Sequence, residues 1–150
     1  MRYYLVDQIR EWQPGTMIRG IKNVAMSEDF LEFHFPGNPI MPGVLLLEAL
    51  SQLAGWLEAA GSNFQQWFIL DQVKRCGFYG FALPGDQVEL ELTLLESSTP
   101  DRRCYQGIGL VGKRKKIVAE LEGLLVPLAD LEDPEAFRRL FNYLTRTQGM

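Results

Sequence analysis

Along this chain the hydrophobic positions change period, and each change marks a different element. Val88, Leu90, Leu92 and Leu94 alternate with Gln87, Glu89, Glu91 and Thr93 just after Pro84-Gly85-Asp86. A period of two sends successive side chains to opposite faces, so this stretch predicts a strand with one wet face. Less regular runs of the same kind occupy 65–72, 76–82, 103–112 and 116–126, and predict a β-meander in the second half. Glycine, Pro-Asp or basic turns such as Gly112-Lys113-Arg114-Lys115-Lys116 separate them. Nearer the start, Tyr3 to Trp12 and Thr16 to Met26 mix β-branched and aromatic residues with polar ones around Pro14-Gly15, which predicts two strands and a turn.

From Val44 to Ala60 the pattern is helical: good helix formers, no proline, and a stop near Gly61 and Asn63. Its apolar residues fall on nearly every side, so this helix is expected to be surrounded by protein. Ahead of it, Phe35 to Gly43 contains Pro36, Gly37, Pro39, Pro42 and Gly43, a density of breakers that fits a shaped loop only. Near the other end, Asp133-Pro134-Glu135 supplies a cap, a first-turn proline and an early acid, and Phe137, Leu140, Phe141 and Leu144 follow at helical spacing. One buried helix with five to seven hairpin-connected strands implies an α+β domain in which an antiparallel sheet wraps the helix. No linker divides the chain; 1–128 reads as that domain and 129–150 as its C-terminal amphipathic helix extension.

Composition narrows the function classes. A chain of 150 residues, 47% hydrophobic and 23% charged, fits one globular domain. With 15 Lys+Arg against 19 Asp+Glu the net charge is -4, which argues against nucleic-acid binding, where a basic surface supplies the affinity. Apolar runs such as Val44 to Leu47 and Trp67 to Leu70 fall far short of the roughly 20 residues a membrane-spanning helix needs. The first ten residues carry charged and amide side chains where an export signal would be apolar. Cys76 and Cys104 stand apart, outside any CxxC pattern, so neither a disulfide framework nor a zinc site is expected, and a reducing cytoplasm is the simplest location.

Two residues carry candidate chemistry. Glu48 lies near the start of the all-round apolar helix, where an ionised carboxylate is costly unless a charged or hydrogen-bonding group faces it. Ser51 and Gln52, three and four residues on, extend a narrow polar stripe, which fits a structural network as well as a site. His34 is the only histidine and stands between Phe33 and Phe35; taken alone, it fits a packed side chain as well as a proton shuttle. The stretch between them joins the two. Its loop runs straight into a helix N-terminus, where the N–H groups of Gly43 and Val44 lack helical partners and suit a developing oxyanion. Base, acid and oxyanion donor are thus encoded within about fifteen residues.

The stretch His34-Phe-Pro-Gly-Asn-Pro-Ile-Met-Pro-Gly-Val-Leu-Leu-Leu-Glu48-Ala-Leu-Ser-Gln52 closely resembles the signature of the 3-hydroxyacyl-acyl carrier protein dehydratases, the FabZ/FabA-type hotdog proteins, and is nearer the FabZ type. The resemblance extends through Tyr4-Leu-Val-Asp7, Pro14-Gly15, Ile21-Lys-Asn-Val24 and Pro84-Gly-Asp86, over about residues 3 to 126. It implies a hotdog fold and a site shared between subunits, hence a homodimer or a higher homo-oligomer up to a hexamer. It also implies a cofactor-independent elimination of water from a 3-hydroxyacyl thioester on acyl carrier protein. In that carry-over His34 takes the C2 proton, Glu48 assists departure of the C3 hydroxyl, the Gly43 N–H polarises the thioester carbonyl, and Gln52 orients the carboxylate. Relatives with aspartate at the helix position also isomerise the product, so Glu48 points to simple dehydration. Phe33, a substrate-binding candidate, stands where the family usually has glycine, a departure that bears on loop geometry and substrate width, and Tyr79-Gly80 stands where the family commonly carries an arginine pair. Basic groups at Lys74-Arg75, Arg102-Arg103 and Lys113 to Lys116 are candidates for steering an acidic carrier, although the last run fits a solvated hairpin turn better. Two rival readings remain: a hotdog thioesterase, and a non-catalytic acyl-binding or scaffold protein that keeps the motif.

Overall fold

The computed structural model describes residues 4–147. Six strands form one antiparallel sheet: β1 (Gln8–Gln13), β2 (Met17–Asn23), β3 (Gln66–Phe78), β4 (Gln87–Leu94), β5 (Arg102–Val111) and β6 (Arg114–Pro127). Helix α1 (Gly43–Gly61) runs between β2 and β3, and α2 (Pro134–Thr145) closes the described chain. The α+β class, the long central helix and the short C-terminal helix all match the sequence reading.

Strand order is β1-β2-β4-β5-β6-β3, with every neighbouring pair antiparallel. Only β4, β5 and β6 form the expected meander. β3 crosses to the far edge and pairs with β6 instead of β4, because α1 carries the chain across the whole sheet before β3 begins. The separate strands expected at 65–72 and 76–82 are one 13-residue strand ending at Phe78. Two bulges, between Leu70 and Gln72 and between Val73 and Arg75, keep its polar middle in the ladder. The first strand starts at Gln8 rather than Tyr3, and Tyr3 lies outside the described residues. Leu5 ahead of it is held by a side chain of α1, its N–H donating to Gln52 Oε1 at 2.9 Å.

Alternation placed β4 correctly: Val88, Leu90 and Leu92 are all fully buried. They face Leu46, Ala49, Leu50, Leu53 and Leu57 of α1, which are buried in the same core. Close approach of helix to sheet requires a missing side chain at Gly107, where a Cβ would stand 2.9 Å from Leu50 Cδ1. Near the start of the loop that leads to α1, buried Lys22 pairs with Glu28 at 2.6 Å and Asp7 at 3.6 Å. Both cysteines are free.

Helix α2 docks an aromatic face. Asp133 caps it by accepting from the Glu135 N–H at 3.1 Å, with Pro134 in the first turn. Phe137 and Phe141 then pack on Trp56 of α1 at centroid distances of 5.1 and 5.9 Å, and Trp12 meets Phe141 at 5.4 Å. Among the described residues no helix is long and apolar enough to cross a membrane.

Candidate active site

His34 stands at the neck of a closed loop. The Ile40 N–H donates to the His34 carbonyl at 2.8 Å, and His34 Nδ1 lies 2.8 Å from the Ile40 carbonyl oxygen. A carbonyl can only accept, so Nδ1 carries the proton and Nε2 of the neutral ring keeps its lone pair. Within the loop Phe35 and Asn38 exchange backbone hydrogen bonds of 3.0 and 2.8 Å, while Gly37 takes φ +72°, a conformation in which a side chain would be strained. The imidazole stacks on Phe35 with centroids 4.3 Å apart. One ring face and one nitrogen are thereby fixed, which presents Nε2 as the free basic atom. The Met41 N–H bonds the Ala82 carbonyl at 2.9 Å and ties the loop to the chain beyond β3.

The loop delivers the N-terminus of α1. Pro42 precedes it without a side-chain cap, and among the described residues no acceptor engages the N–H of Gly43 or Val44. Such orphan donors at the positive end of a helix dipole are suited to a negative oxygen. A Cβ at Gly43 would lie 2.6 Å from the Phe78 ring, so only glycine lets that ring rest on the first helical turn. His34, Gly43 and Val44 line one cavity of about 640 Å³, walled by Leu47, Val73, Cys76, Phe78 and Phe81.

Glu48 is not in that cavity. It lines a second one, of about 340 Å³, together with Gln52, Trp56, Trp67, Leu131 and Phe137. Gln52 Nε2 donates to Glu48 Oε1 at 3.3 Å, while its Oε1 accepts the Leu5 N–H. Because the backbone N–H can bond only the amide oxygen, the NH₂ group is left facing the carboxylate. The expected enclosure of Glu48 does not hold for the single chain: Glu48 is exposed and Val44 is 64% exposed. Residues i and i+4 share a helix face, and this face turns away from the core that Leu46, Ala49 and Leu50 enter. Phe33 is exposed at 76%, near His34 in sequence but outside both cavities.

Among the aromatic side chains, Trp56 and Trp67 line the Glu48 cavity, Phe78 and Phe81 line the His34 cavity, and Phe64 and Phe68 are buried core. Sequence reasoning missed Leu128, Leu131 and Phe137 as lining residues; their only signal was apolar character around a capped helix start. The basic candidates divide. Arg102 is bound to Asp71 and Glu122, Lys74 to Glu122, and Arg103 to Glu58, so these cations are engaged within the chain. Lys116 instead lies across Gly80, its Nζ 3.1 Å from where a Cβ would be, beside the His34 cavity that Gly80 lines. Burial pushes the Glu58 carboxyl above its ordinary range, opposed by the Arg103 guanidinium, and Tyr105 donates its hydroxyl to the same carboxylate. Among the described residues no group of three or more His, Cys, Asp or Glu side chains could hold a metal ion.

Residues 2–122 match the FabA-like domain. The chain is 37% identical over 123 residues to a 3-hydroxyacyl-[acyl-carrier-protein] dehydratase FabZ of Clostridium acetobutylicum, covering 81% of this chain and 86% of that protein. It is 39% identical over 123 residues to a FabZ of a Thermoanaerobacter species, covering 79% and 84%. Among solved structures, the dehydratase heterocomplex ApeI:P from Xenorhabdus doucetiae superposes with a TM-score of 0.62 at 16% identity, over 77% of this chain and 93% of that one. The Streptococcus mutans protein smu.793, bound to acetyl CoA, gives 0.65 at 11% identity over 85% and 94%. These two likenesses concern the fold alone.

Proposed function

The chain belongs to the FabA-like family, and from that premise we propose that His34 of one copy and Glu48 of a second copy form the acid–base pair of a shared dehydratase site. The fold is the hotdog, and the activity is that of a 3-hydroxyacyl-[acyl-carrier-protein] dehydratase, a hydro-lyase. The observation that carries the two-copy reading is the separation of the pair: His34 shares a cavity with the Gly43 N–H, whereas Glu48 lines a different one. Exposed Val44 and Glu48, with exposed Phe78 and Phe81 and the open edge of β3, supply the face a second copy would cover.

The steps balance without an added reagent. The thioester carbonyl oxygen accepts from the Gly43 N–H, which stabilises negative charge as C2 loses its proton to His34 Nε2. The C2–H electron pair forms the C2=C3 double bond, the C3–O bond breaks, and the hydroxyl leaves as water with the proton of the Glu48 carboxyl. His34 is left protonated and Glu48 ionised, and return of one proton from the first to the second restores both. Gln52 holds the carboxylate from one side. Each proton-transfer role contributes about 10²–10⁴-fold in such sites. The substrate is a 3-hydroxyacyl group on acyl carrier protein, met in the cytoplasm, and Lys116 supplies a cation beside Gly80 of the His34 cavity to attract an acidic carrier.

The test mixes two inactive variants. His34→Ala and Glu48→Gln should each abolish enoyl formation from a 3-hydroxyacyl thioester. After subunit exchange, a heterodimer holds one intact His34/Glu48 pair, so about a quarter of the wild-type sites return for a two-fold dimer. Exchange without recovery of activity would refute the shared site. Release of free thiol without enoyl product would favour thioester hydrolysis instead.

A further inference from the structure

Elimination gives the substrate a direction, and that direction assigns a use to the second cavity. On the reading above, C1 and C2 lie at Gly43 and His34, and C3 lies at Glu48. Carbon four and everything beyond it must continue past Glu48, into the cavity this carboxylate lines. Glu48, Gln52 and Trp56 follow one another at intervals of four along α1, so the cavity wall turns from polar to aromatic over about 12 Å of helix. At the far end Trp56, Trp67 and Phe137 meet one another at centroid distances of 5.1, 5.1 and 5.3 Å and make an aromatic floor. The volume of about 340 Å³ is near the lower limit of small-molecule sites, roughly 300–1,000 Å³.

The remaining wall comes from a part of the chain that the family resemblance does not reach. Leu128, Leu131, Glu132 and Phe137 line the cavity, yet the family match ends at residue 122. Leu131 is 48% exposed, unlike Leu128, which is fully buried in the core. An apolar side chain half exposed at a cavity wall beside the Glu48 carboxylate gains burial when an apolar ligand covers it.

We propose that the segment from Leu128 to Phe137 forms the end wall of the acyl-tail pocket and limits the chain length this dehydratase accepts, with Leu131 and Phe137 as the specificity-determining residues. The favoured substrates are 3-hydroxyacyl groups of short to medium length, and the limit is imposed by the C-terminal extension rather than by the family domain.

The experiment compares kcat/KM for 3-hydroxybutyryl, 3-hydroxydecanoyl and 3-hydroxyhexadecanoyl thioesters of N-acetylcysteamine, which carry no carrier protein. Leu131→Trp should fill the pocket and lower the decanoyl-to-butyryl ratio by about tenfold or more, the scale on which apolar pockets read one or two methylenes. Leu131→Ala should move the profile the other way and raise the hexadecanoyl-to-decanoyl ratio. A half-exposed position tolerates both changes, and two variants of opposite sign separate a pocket effect from damage to the fold. Ratios unchanged in both variants, or shifted in the same direction by both, would overturn the proposal. The butyryl substrate isolates the underlying chemistry: Glu48→Gln still active on butyryl would overturn the assignment of Glu48, while an intact Glu48 dependence with unmoved ratios would overturn the pocket alone.

Discussion

Replacing Gly55 by alanine sets helix propensity against packing in a place where the two can be separated. Inside α1 alanine is favoured over glycine by about 1 kcal/mol. The new Cβ would, however, stand 2.2, 2.3 and 2.7 Å from Trp67 Cζ2, Cε2 and Cη2. Carbon atoms in ordinary contact sit about 3.5–4.0 Å apart, so the indole must retreat by more than about 1 Å. On the sides of Trp56 and Phe137 it has little room, since Trp56 lies edge-on at 5.1 Å and Phe137 at 5.3 Å. Overpacking of this kind costs about 1–3 kcal/mol, and three ring atoms in collision place Gly55→Ala at the upper end. After the helix gain is subtracted, the variant should lose about 2 kcal/mol, a fall in Tm of about 4–8 °C for a chain of this length. Thermal and urea denaturation at one fixed protein concentration would measure it, because any self-association makes Tm concentration-dependent. In a Trp67→Leu background the six-membered ring is gone, so Gly55→Ala should become neutral or mildly stabilising, with a coupling of about 2–3 kcal/mol between the sites. A Gly55→Ala protein as stable as wild type, or strict additivity in the double variant, would refute this account of the close packing between α1 and β3.

Two further outcomes concern the half-buried carboxylate of Glu58. Its folded pKa is raised by burial, so the folded chain holds this proton more tightly than the unfolded one; the associated stability is present below the ordinary value of 4.5 and is lost as pH rises through the folded pKa. Urea midpoints of wild type relative to Glu58→Gln should therefore decline as pH rises above 4.5, and a flat difference would count against burial as the dominant cause. Tyr105→Phe removes a fully buried hydroxyl that donates to the same carboxylate, and should lower stability by about 1.5–3 kcal/mol, the range for hydrogen bonds to charged groups, with denaturant unfolding as the measure.

Sequence pattern located elements wherever a local signal was unbroken. Strand β4 alternates cleanly because one face meets α1 and the other faces away, and α2 announces itself by Asp133-Pro134 and an apolar stripe that ends up against Trp56. Strand β3 hid itself for two physical reasons. Its middle, Asp71 to Cys76, is exposed and carries Asp71, Lys74 and Arg75, so no buried face imposed an alternation. The two bulges then shift the phase twice within a few residues, which makes one edge strand read as two. Sheet order was illegible for another reason: β3 joins β6 across a long sequence separation, and no local period encodes which distant edge a strand will meet.

The motif was legible as chemistry before it was legible as geometry. His34, Gly43 and Glu48 lie close in sequence, which suggested a single compact constellation. The loop closed by Ile40 does bring His34 to Gly43. From Gly43 to Glu48 the chain is helical, and five residues at 3.6 per turn rotate the side chain by about 140° around the axis. Glu48 therefore leaves the helix on a different flank and enters a different cavity, however near its number is to that of Gly43. Rotation, together with a rise of about 7.5 Å over those five residues, separates Glu48 from His34 within one chain. On the shared-site reading this separation is what makes two copies complementary: a two-fold axis beside α1 would place the Glu48 flank of each copy against the His34 cavity of the other, and the acyl tail would then run from the family domain of one copy to the C-terminal wall of its partner.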